Sequence, residues 1–174
     1  MTSGEGGAII TDDKKLFEKL KQIRNHGLSK NHLTTMFGLN LRLPEINAAI
    51  AKVQMKKLPG LLGKRKKNAQ ILTEFLKNCD IIPPKQRKGE TLNWYLYTIA
   101  LKNRNNIMKK LNSSGIGATI YYSPPIHKTP YYKTKTNLPN TEWATCHVLS
   151  LPIHPKVSKS DMVRMKKILS NNRK

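Results

Sequence analysis

The spacing of apolar residues predicts two amphipathic helices in the first third of the chain. The first starts near Thr11, whose hydroxyl and following acids suit a helix N-terminus, and it ends near Gly27. The second starts at Pro44, because proline fits the first helical position, and it runs to about Leu58. Pro59 either ends this helix or kinks it before a further amphipathic piece. The two apolar faces contain Leu16, Phe17, Leu20 and Ile23, and Ile46, Ala49, Ile50 and Val53.

The second half of the chain alternates short strands with helices. Residues 92–101 are rich in aromatic and β-branched side chains and are predicted as a strand, with shorter strands at 119–122 and 148–151. Helices are predicted at 105–113 and after Ser158, which forms a capping-box pattern with the acid three residues later. This order predicts a small α+β layer of about three strands with helices on one face.

A lone strand predicted at residues 7–10 has no neighbouring strand in the first half of the chain. Strands need partners, so residues 1–58 are interpreted as the last strand and helices of a larger, truncated domain. The alternative is that this strand joins the later sheet. Residues 59–174 are predicted to form a small C-terminal α+β domain, and the fold class of the whole is α/β.

The charge of the chain is strongly positive. Its 174 residues include 32 Lys and Arg against 10 Asp and Glu, a formal net charge of +22. Such an excess attracts polyanions whatever the fold. However, the cations are scattered, with a single block at 64–67, and no exposed aromatics are interleaved with them. A solvated lysine-rich surface is therefore the favoured interpretation, and a basic nucleic-acid-binding protein is the weaker alternative.

Several classes of protein are disfavoured by the sequence. Cys79 and Cys146 are only two and far apart, so no disulfide framework and no metal site is predicted. No apolar run approaches the length of a membrane span, and the first residues do not resemble a signal peptide. We therefore expect no membrane partner and a cytoplasmic location.

Asn40 and Arg42 are the first candidate ligand-binding residues. They lie on a short extended segment just before the helix that starts at Pro44. A helix N-terminus favours anions such as phosphate, so this position could hold a polar ligand group. The alternative is a capped structural helix preceded by a solvent-facing arginine.

Five motifs follow one another over nearly the whole chain. They are T-S-G-E-G-G at 2–7, R-N-H-G at 24–27, G-L-N-L-R-L at 38–43, the 115–132 segment with P-I-H and P-Y-Y, and L-S-L-P at 149–152. In this order they resemble the DegT/DnrJ/StrS-type sugar aminotransferases, fold-type-I enzymes that use pyridoxal phosphate. The resemblance implies that residues 1–58 belong to the cofactor-binding large domain. It also implies amino transfer from glutamate or glutamine to a keto sugar carried on a nucleotide.

The resemblance assigns roles to four residues. Asn40 matches the residue that reaches the cofactor phosphate of the neighbouring subunit, which implies a homodimer. Arg42 is expected to support that loop or to bind an anionic substrate group. Tyr122 and His127 match the loop that approaches the sugar nucleotide. His127 could equally be a loop histidine bonded to backbone.

One departure from the family pattern concerns catalysis. In the family, the Schiff-base lysine lies just before the Gly-Glu-Gly-Gly segment, so its place is upstream of Met1 and no catalytic residue is assigned here. The chain as given is therefore expected not to transaminate alone, whether it is a fragment, has a misassigned start, or pairs with a complementing N-terminal half. The alternative is a non-catalytic dimerising or binding module. Tyr95 and Tyr121 also stand where the family often has histidine.

Overall fold

The computed structural model describes residues 1–132 and 134–170. The chain divides into two compact units, Met1–Pro59 and Gly60–Lys174. The described residues form five α-helices, two strands and one 3-10 turn. In chain order these are α1 Lys14–Arg24, α2 Glu45–Leu76, β1 Tyr97–Ala100, α3 Arg104–Ser113, the turn Ile126–Lys128, α4 Pro139–His147, β2 Val148–Leu151 and α5 Lys159–Leu169.

Helix α1 is capped by an aspartate and not by the threonine that the sequence suggests. The Asp13 carboxylate accepts hydrogen bonds from the backbone N–H groups of Lys15 and Leu16, at 2.8 and 3.1 Å. Thr11 binds the residue before the helix instead: its hydroxyl oxygen accepts the N–H of Asp13 at 3.1 Å. The helix therefore begins slightly later than predicted.

The strand predicted at residues 7–10 does not form. Within the described chain these residues have no strand partner, and Ile9 and Ile10 are 73% and 94% exposed. The glycine-rich segment before them is attached to α2 instead. The Asn47 side-chain amide donates to the carbonyls of Ser3 and Glu5, at 2.7 and 3.1 Å.

Helix α2 is one helix of 32 residues that includes Pro59. The proline has no N–H to donate to the carbonyl four residues earlier, but the residues after it remain helical. In the N-terminal half of α2, Ile46 is 76% exposed and Val53 is 50% exposed, whereas the C-terminal half buries Ala69, Leu72 and Leu76. Among the described helices, none is both long enough and apolar enough to cross a membrane.

The sheet is smaller than predicted. Strands β1 and β2 pair antiparallel, with Tyr97 opposite Leu151 and Ala100 opposite Val148. The predicted strand at 92–101 is regular only over its last part, and the predicted strand at 119–122 is reduced to one antiparallel bridge between Thr119 and Ser150. The prediction at 148–151 is confirmed.

The core of the Gly60–Lys174 unit lies between this sheet and three helices: the C-terminal half of α2, α3 and α5. Helix α3 packs against α5 and β2. Helix α5 starts with the predicted capping box, in which the Ser158 hydroxyl accepts the N–H of Asp161 and the Asp161 carboxylate accepts the N–H of Ser158. Side chains that are almost fully buried include Leu72, Tyr97, Ile99, Leu111, Leu149 and Met165.

A buried arginine joins α3 to the end of α4. Arg104 is 7% exposed, and its guanidinium donates to the carbonyls of Thr145 and Val148, at 3.1 and 3.2 Å. Carbonyls at a helix C-terminus lack intrahelical partners and carry partial negative charge, so a cation stabilises them. Helix α4 was not predicted from the sequence, although Pro139 and Glu142 are ordinary helix-start residues.

Replacing Arg104 with methionine is expected to lower the free energy of unfolding by about 2–3 kcal/mol. The substitution keeps most of the aliphatic stem but removes two hydrogen bonds from a charged donor. Urea denaturation followed by circular dichroism measures the change. Arg87→Met is the matched control, because the Arg87 side chain is 87% exposed and should change stability by less than about 0.5 kcal/mol. Equal effects of the two substitutions would contradict the role given to Arg104.

Candidate functional site

The segment that carries Asn40 is hydrogen-bonded to the end of α1. The backbone N–H of Leu39 donates to the carbonyl of Ile23 at 2.7 Å, and the N–H of Leu41 donates to the carbonyl of Arg24 at 2.9 Å. These carbonyls belong to the last turn of the helix and need external donors. The backbone on both sides of Asn40 is therefore fixed to α1.

Two glycines allow this close approach. Gly27 has a φ of +69°, in the left-handed region that favours glycine, and a Cβ there would lie 1.8 Å from the Met36 carbonyl oxygen. At Gly38, a Cβ would lie 2.0 Å from the backbone nitrogen of Gly27. The two backbones thus meet where a side chain on either residue would collide with main-chain atoms.

Arg42 is oriented by a side chain at the end of α1. Its Nε donates to Oδ1 of Asn25 at 2.7 Å, and Asn25 is the C-cap residue of that helix. The backbones of Asn25 and Asn40 also form an antiparallel bridge. The Asn40 carboxamide is exposed and has no hydrogen-bond partner within residues 1–132 and 134–170. The structure therefore brings Asn40 and Arg42 together on one short segment, with an amide and a cation available to a ligand.

A hollow of about 390 Å³ lies beside Arg42 in the Met1–Pro59 unit. Four of its lining residues are cations and one, Glu18, is an acid that pairs with Lys21 at 3.4 Å. The excess of positive charge makes this surface suitable for anions. The cations are Lys21, Arg24, Lys30 and Arg42.

Tyr122 and His127 lie in the other unit, on the loop that leads into and through the 3-10 turn. Tyr122 is 69% exposed, and its ring packs edge-on against Tyr121, with centroids 5.2 Å apart. The His127 carbonyl accepts the backbone N–H of Thr134 at 3.0 Å, which closes the loop on itself. Tyr122 is thus open to a ligand, whereas His127 is held within the loop.

The His127 side chain is held by Glu142 of α4. Its Nε2 lies 3.3 Å from Oε1 of Glu142, and the imidazole side chain is only 10% exposed. Lys128, the next residue, places its Nζ 2.5 Å from Oε2 of the same carboxylate. The hydrogen bond from Lys128, and after it that from His127, lowers the pKa of Glu142. The carboxylate therefore stays ionised at neutral pH and joins two consecutive loop residues to α4.

Two residues and one backbone contact that organise these segments were not predicted from the sequence. Asn25 orients Arg42 but carried no signal beyond its place in the R-N-H-G motif. The contact between Gly27 and Gly38 depends on residues that are distant in sequence, so no local pattern shows it. Glu142 could have been noticed as an acid in the first turn of a helix started by a proline.

Comparison with known proteins shows the family. The sequence profile of the DegT/DnrJ/EryC1/StrS aminotransferase family matches residues 1–170, and the chain belongs to that family. One relative, the dTDP-3-amino-3,6-dideoxy-alpha-D-galactopyranose transaminase of Aneurinibacillus thermoaerophilus, is 32% identical over 92% of this chain and 45% of its own length. Another, the dTDP-3-amino-3,4,6-trideoxy-alpha-D-glucose transaminase of Streptomyces venezuelae, is 29% identical over 93% of this chain and 44% of its own length.

Solved structures give the same result for the fold. The chain matches DesV of S. venezuelae with a TM-score of 0.86 and 27% identity, over 93% of this chain and 45% of that one. It matches Helicobacter pylori PseC, an aminotransferase involved in the biosynthesis of pseudoaminic acid, with a TM-score of 0.86 and 27% identity, over 99% of this chain and 50% of that one. The mixed helical and small-sheet architecture is thus that of part of an aminotransferase. The chain spans about half the length of the relatives that it matches.

Proposed function

We propose that this chain is part of a pyridoxal-phosphate-dependent aminotransferase that moves an amino group from glutamate or glutamine to a keto sugar carried on a nucleotide. Family membership and the dTDP-sugar names of two relatives support the reaction class. The observation that carries the proposal is that Asn40, with an available carboxamide, lies two residues before Arg42, whose guanidinium is oriented by Asn25.

These two side chains fit the phosphate of the cofactor. A phosphate takes amide N–H donors and is matched well by a guanidinium, which offers several N–H groups in a fixed plane. When bound, pyridoxal phosphate supplies the electron sink that amino transfer requires. In this proposal Asn40 donates a hydrogen bond to a phosphate oxygen, and Arg42, held by Asn25, adds positive charge to the same region or binds an anionic substrate group.

The proposed assembly is a homodimer in which Asn40 of one subunit completes the cofactor site of the other. Exposed apolar side chains in the first unit are consistent with a surface that becomes covered. Ile46 is 76% exposed on α2, and Phe37, close to Asn40, is 80% exposed. A complementing N-terminal chain is the other partner that would cover such residues.

The Tyr122 loop is proposed to contact the sugar nucleotide. Tyr122 presents an exposed ring and hydroxyl, a combination that can stack on one ligand group and hydrogen-bond another. The His127 side chain is nearly buried against Glu142, so its contribution is mainly to hold the loop. In domain terms, residues 1–58 are proposed as the end of the cofactor-binding domain and residues 59–174 as the small domain.

The test compares the 174-residue chain with a longer protein that supplies the family's Schiff-base lysine. The chain alone, mixed with pyridoxal phosphate, is expected to show no cofactor absorbance band that shifts when glutamate is added. Joined to the upstream part, or mixed with a complementing N-terminal chain, it should show that band and aminate a keto sugar nucleotide. Such a band from the chain alone, lost only when one of its own lysines is changed, would show that the proposed division is wrong.

A further inference from the structure

We propose that Glu142 is a positioning residue for the sugar-nucleotide site: it fixes the 126–128 turn through His127 and Lys128, and so sets the affinity for the substrate. This inference rests on the proposed function of the Tyr122 loop. It adds a residue from a different element, α4, to the groups on which that loop depends.

The contacts of Glu142 use both oxygens of the carboxylate. Oε2 lies 2.5 Å from Nζ of Lys128, and Oε1 lies 3.3 Å from Nε2 of His127. Oε1 is also 3.5 Å from the backbone N–H of Leu138, just before α4. One side chain thus joins two consecutive residues of the turn to the start of a helix, although they are 14 and 15 positions away in sequence.

The carboxylate also fixes which ring nitrogen of His127 donates a hydrogen bond. A carboxylate oxygen can only accept a hydrogen bond, so Nε2 of His127 must carry the proton. Within the described residues, Nδ1 of His127 has no hydrogen-bond partner. The Glu142 contact therefore fixes both the ring orientation and the nitrogen that carries the hydrogen.

The same turn borders a second hollow of about 360 Å³, mostly lined by this loop. Its lining includes Ile126 and His127 of the turn, Tyr132 and Thr134 from the returning part of the loop, and Leu138 just before α4. If the turn were released from Glu142, this whole surface would lose its shape, because the returning part is attached through the Thr134 N–H to the His127 carbonyl.

The first test measures loop order in the 174-residue chain by hydrogen exchange. Glu142→Gln keeps the size of the side chain but removes the charge that pairs with Lys128. Two backbone amides report on the turn: Thr129, which donates to the Ile126 carbonyl at 3.0 Å, and Thr134, which donates to the His127 carbonyl. Both are expected to exchange roughly tenfold faster in this variant, because a charge-assisted contact that holds the loop is lost. Glu74→Gln is the matched control: Glu74, in the last turn of α2, also pairs with a lysine at 2.7 Å, Lys77 just after the helix, but both side chains are more than half exposed.

The second test measures affinity, with dTDP-glucose and UDP-N-acetylglucosamine as probes of the site. Glu142→Gln is expected to raise the dissociation constant of the probe that binds by roughly tenfold. The complete enzyme is the chain joined to the upstream part that supplies the Schiff-base lysine. In this complete enzyme, Glu142→Gln should raise KM for the keto sugar nucleotide and leave kcat within about twofold. A purely structural role for Glu142 would not produce this division between KM and kcat.

Each outcome decides the inference. Faster exchange at Thr129 and Thr134 together with weaker probe binding supports it. Unchanged exchange in Glu142→Gln overturns the positioning role, and faster exchange with unchanged affinity overturns the link to the substrate. If the unmodified complete enzyme binds neither probe and aminates no sugar nucleotide, the proposed function fails, and the inference fails with it.

Discussion

Asn40→Asp is expected to abolish amino transfer by the complete enzyme while leaving the chain folded. The substitution changes one side-chain nitrogen to oxygen, so the shape is kept, but an amide donor becomes an anion. In the proposed site that anion would face the cofactor phosphate. Loss of the hydrogen bond and repulsion between like charges are expected to weaken pyridoxal phosphate binding by about a hundredfold.

Titration with pyridoxal phosphate, followed by absorbance and protein fluorescence, measures this loss. The control is Asn78→Asp, which adds the same charge at an exposed position just after α2. It should leave cofactor affinity and activity unchanged. Full activity in Asn40→Asp would show that the carboxamide does not contact the phosphate.

Mixed dimers test whether Asn40 acts across the subunit interface. Two variants of the complete enzyme are unfolded and refolded together. One carries Asn40→Asp, and the other lacks the Schiff-base lysine. If Asn40 serves the neighbouring subunit, each mixed dimer holds one intact site, and an equal mixture should recover about a quarter of wild-type activity. If Asn40 serves its own subunit, both sites of a mixed dimer are defective and no activity returns.

Elements with strong local signals could be predicted from the sequence. Helix α5 was found because Ser158 and Asp161 form a capping box by themselves, without help from distant residues. Strand β2 was found because its apolar residues are followed by Pro152. In both cases the deciding residues are neighbours in sequence.

Elements that depend on distant partners were predicted less well. The 92–101 segment is strand-like in composition, but only Tyr97–Ala100 has β2 opposite it, so only that part is a strand. The 7–10 segment has β-branched residues but no partner within the described chain, so its composition did not decide its structure. Pro59 lies inside α2, and the residues on both sides of it are helical, so the proline did not mark the end of the helix.

The same difference between local signals and distant partners applies to the candidate site. Asn40 and Arg42 were found because they stand in a recognisable motif, and the anion-binding interpretation followed from their place before a helix. Their supports could not be found in this way. Asn25 lies 17 residues from Arg42, and Glu142 lies 15 residues from His127, so each contact exists only after the chain has folded.

Gly38→Ala is expected to remove the geometry of the Asn40 segment. The added methyl carbon would lie 2.0 Å from the backbone nitrogen of Gly27 and 2.4 Å from the carbonyl carbon of His26. Main-chain atoms cannot rotate away as a flexible side chain can, so the two backbones must separate. The hydrogen bonds from Leu39 and Leu41 to the end of α1 would then lengthen or break. We expect a loss of about 3 kcal/mol in the free energy of unfolding.

Gly60→Ala is the matched control. Gly60 lies inside α2, and a Cβ there would meet no atom within 4 Å. Alanine is the better helix former, so this substitution should raise the free energy of unfolding by about 0.5–1 kcal/mol. Urea denaturation of the two variants measures both effects, and cofactor titration of the complete enzyme should show weaker binding for Gly38→Ala alone. Similar denaturation midpoints for the two variants would mean that the Gly27 and Gly38 backbones do not meet closely enough to exclude a side chain, and that Asn40 is positioned in some other way.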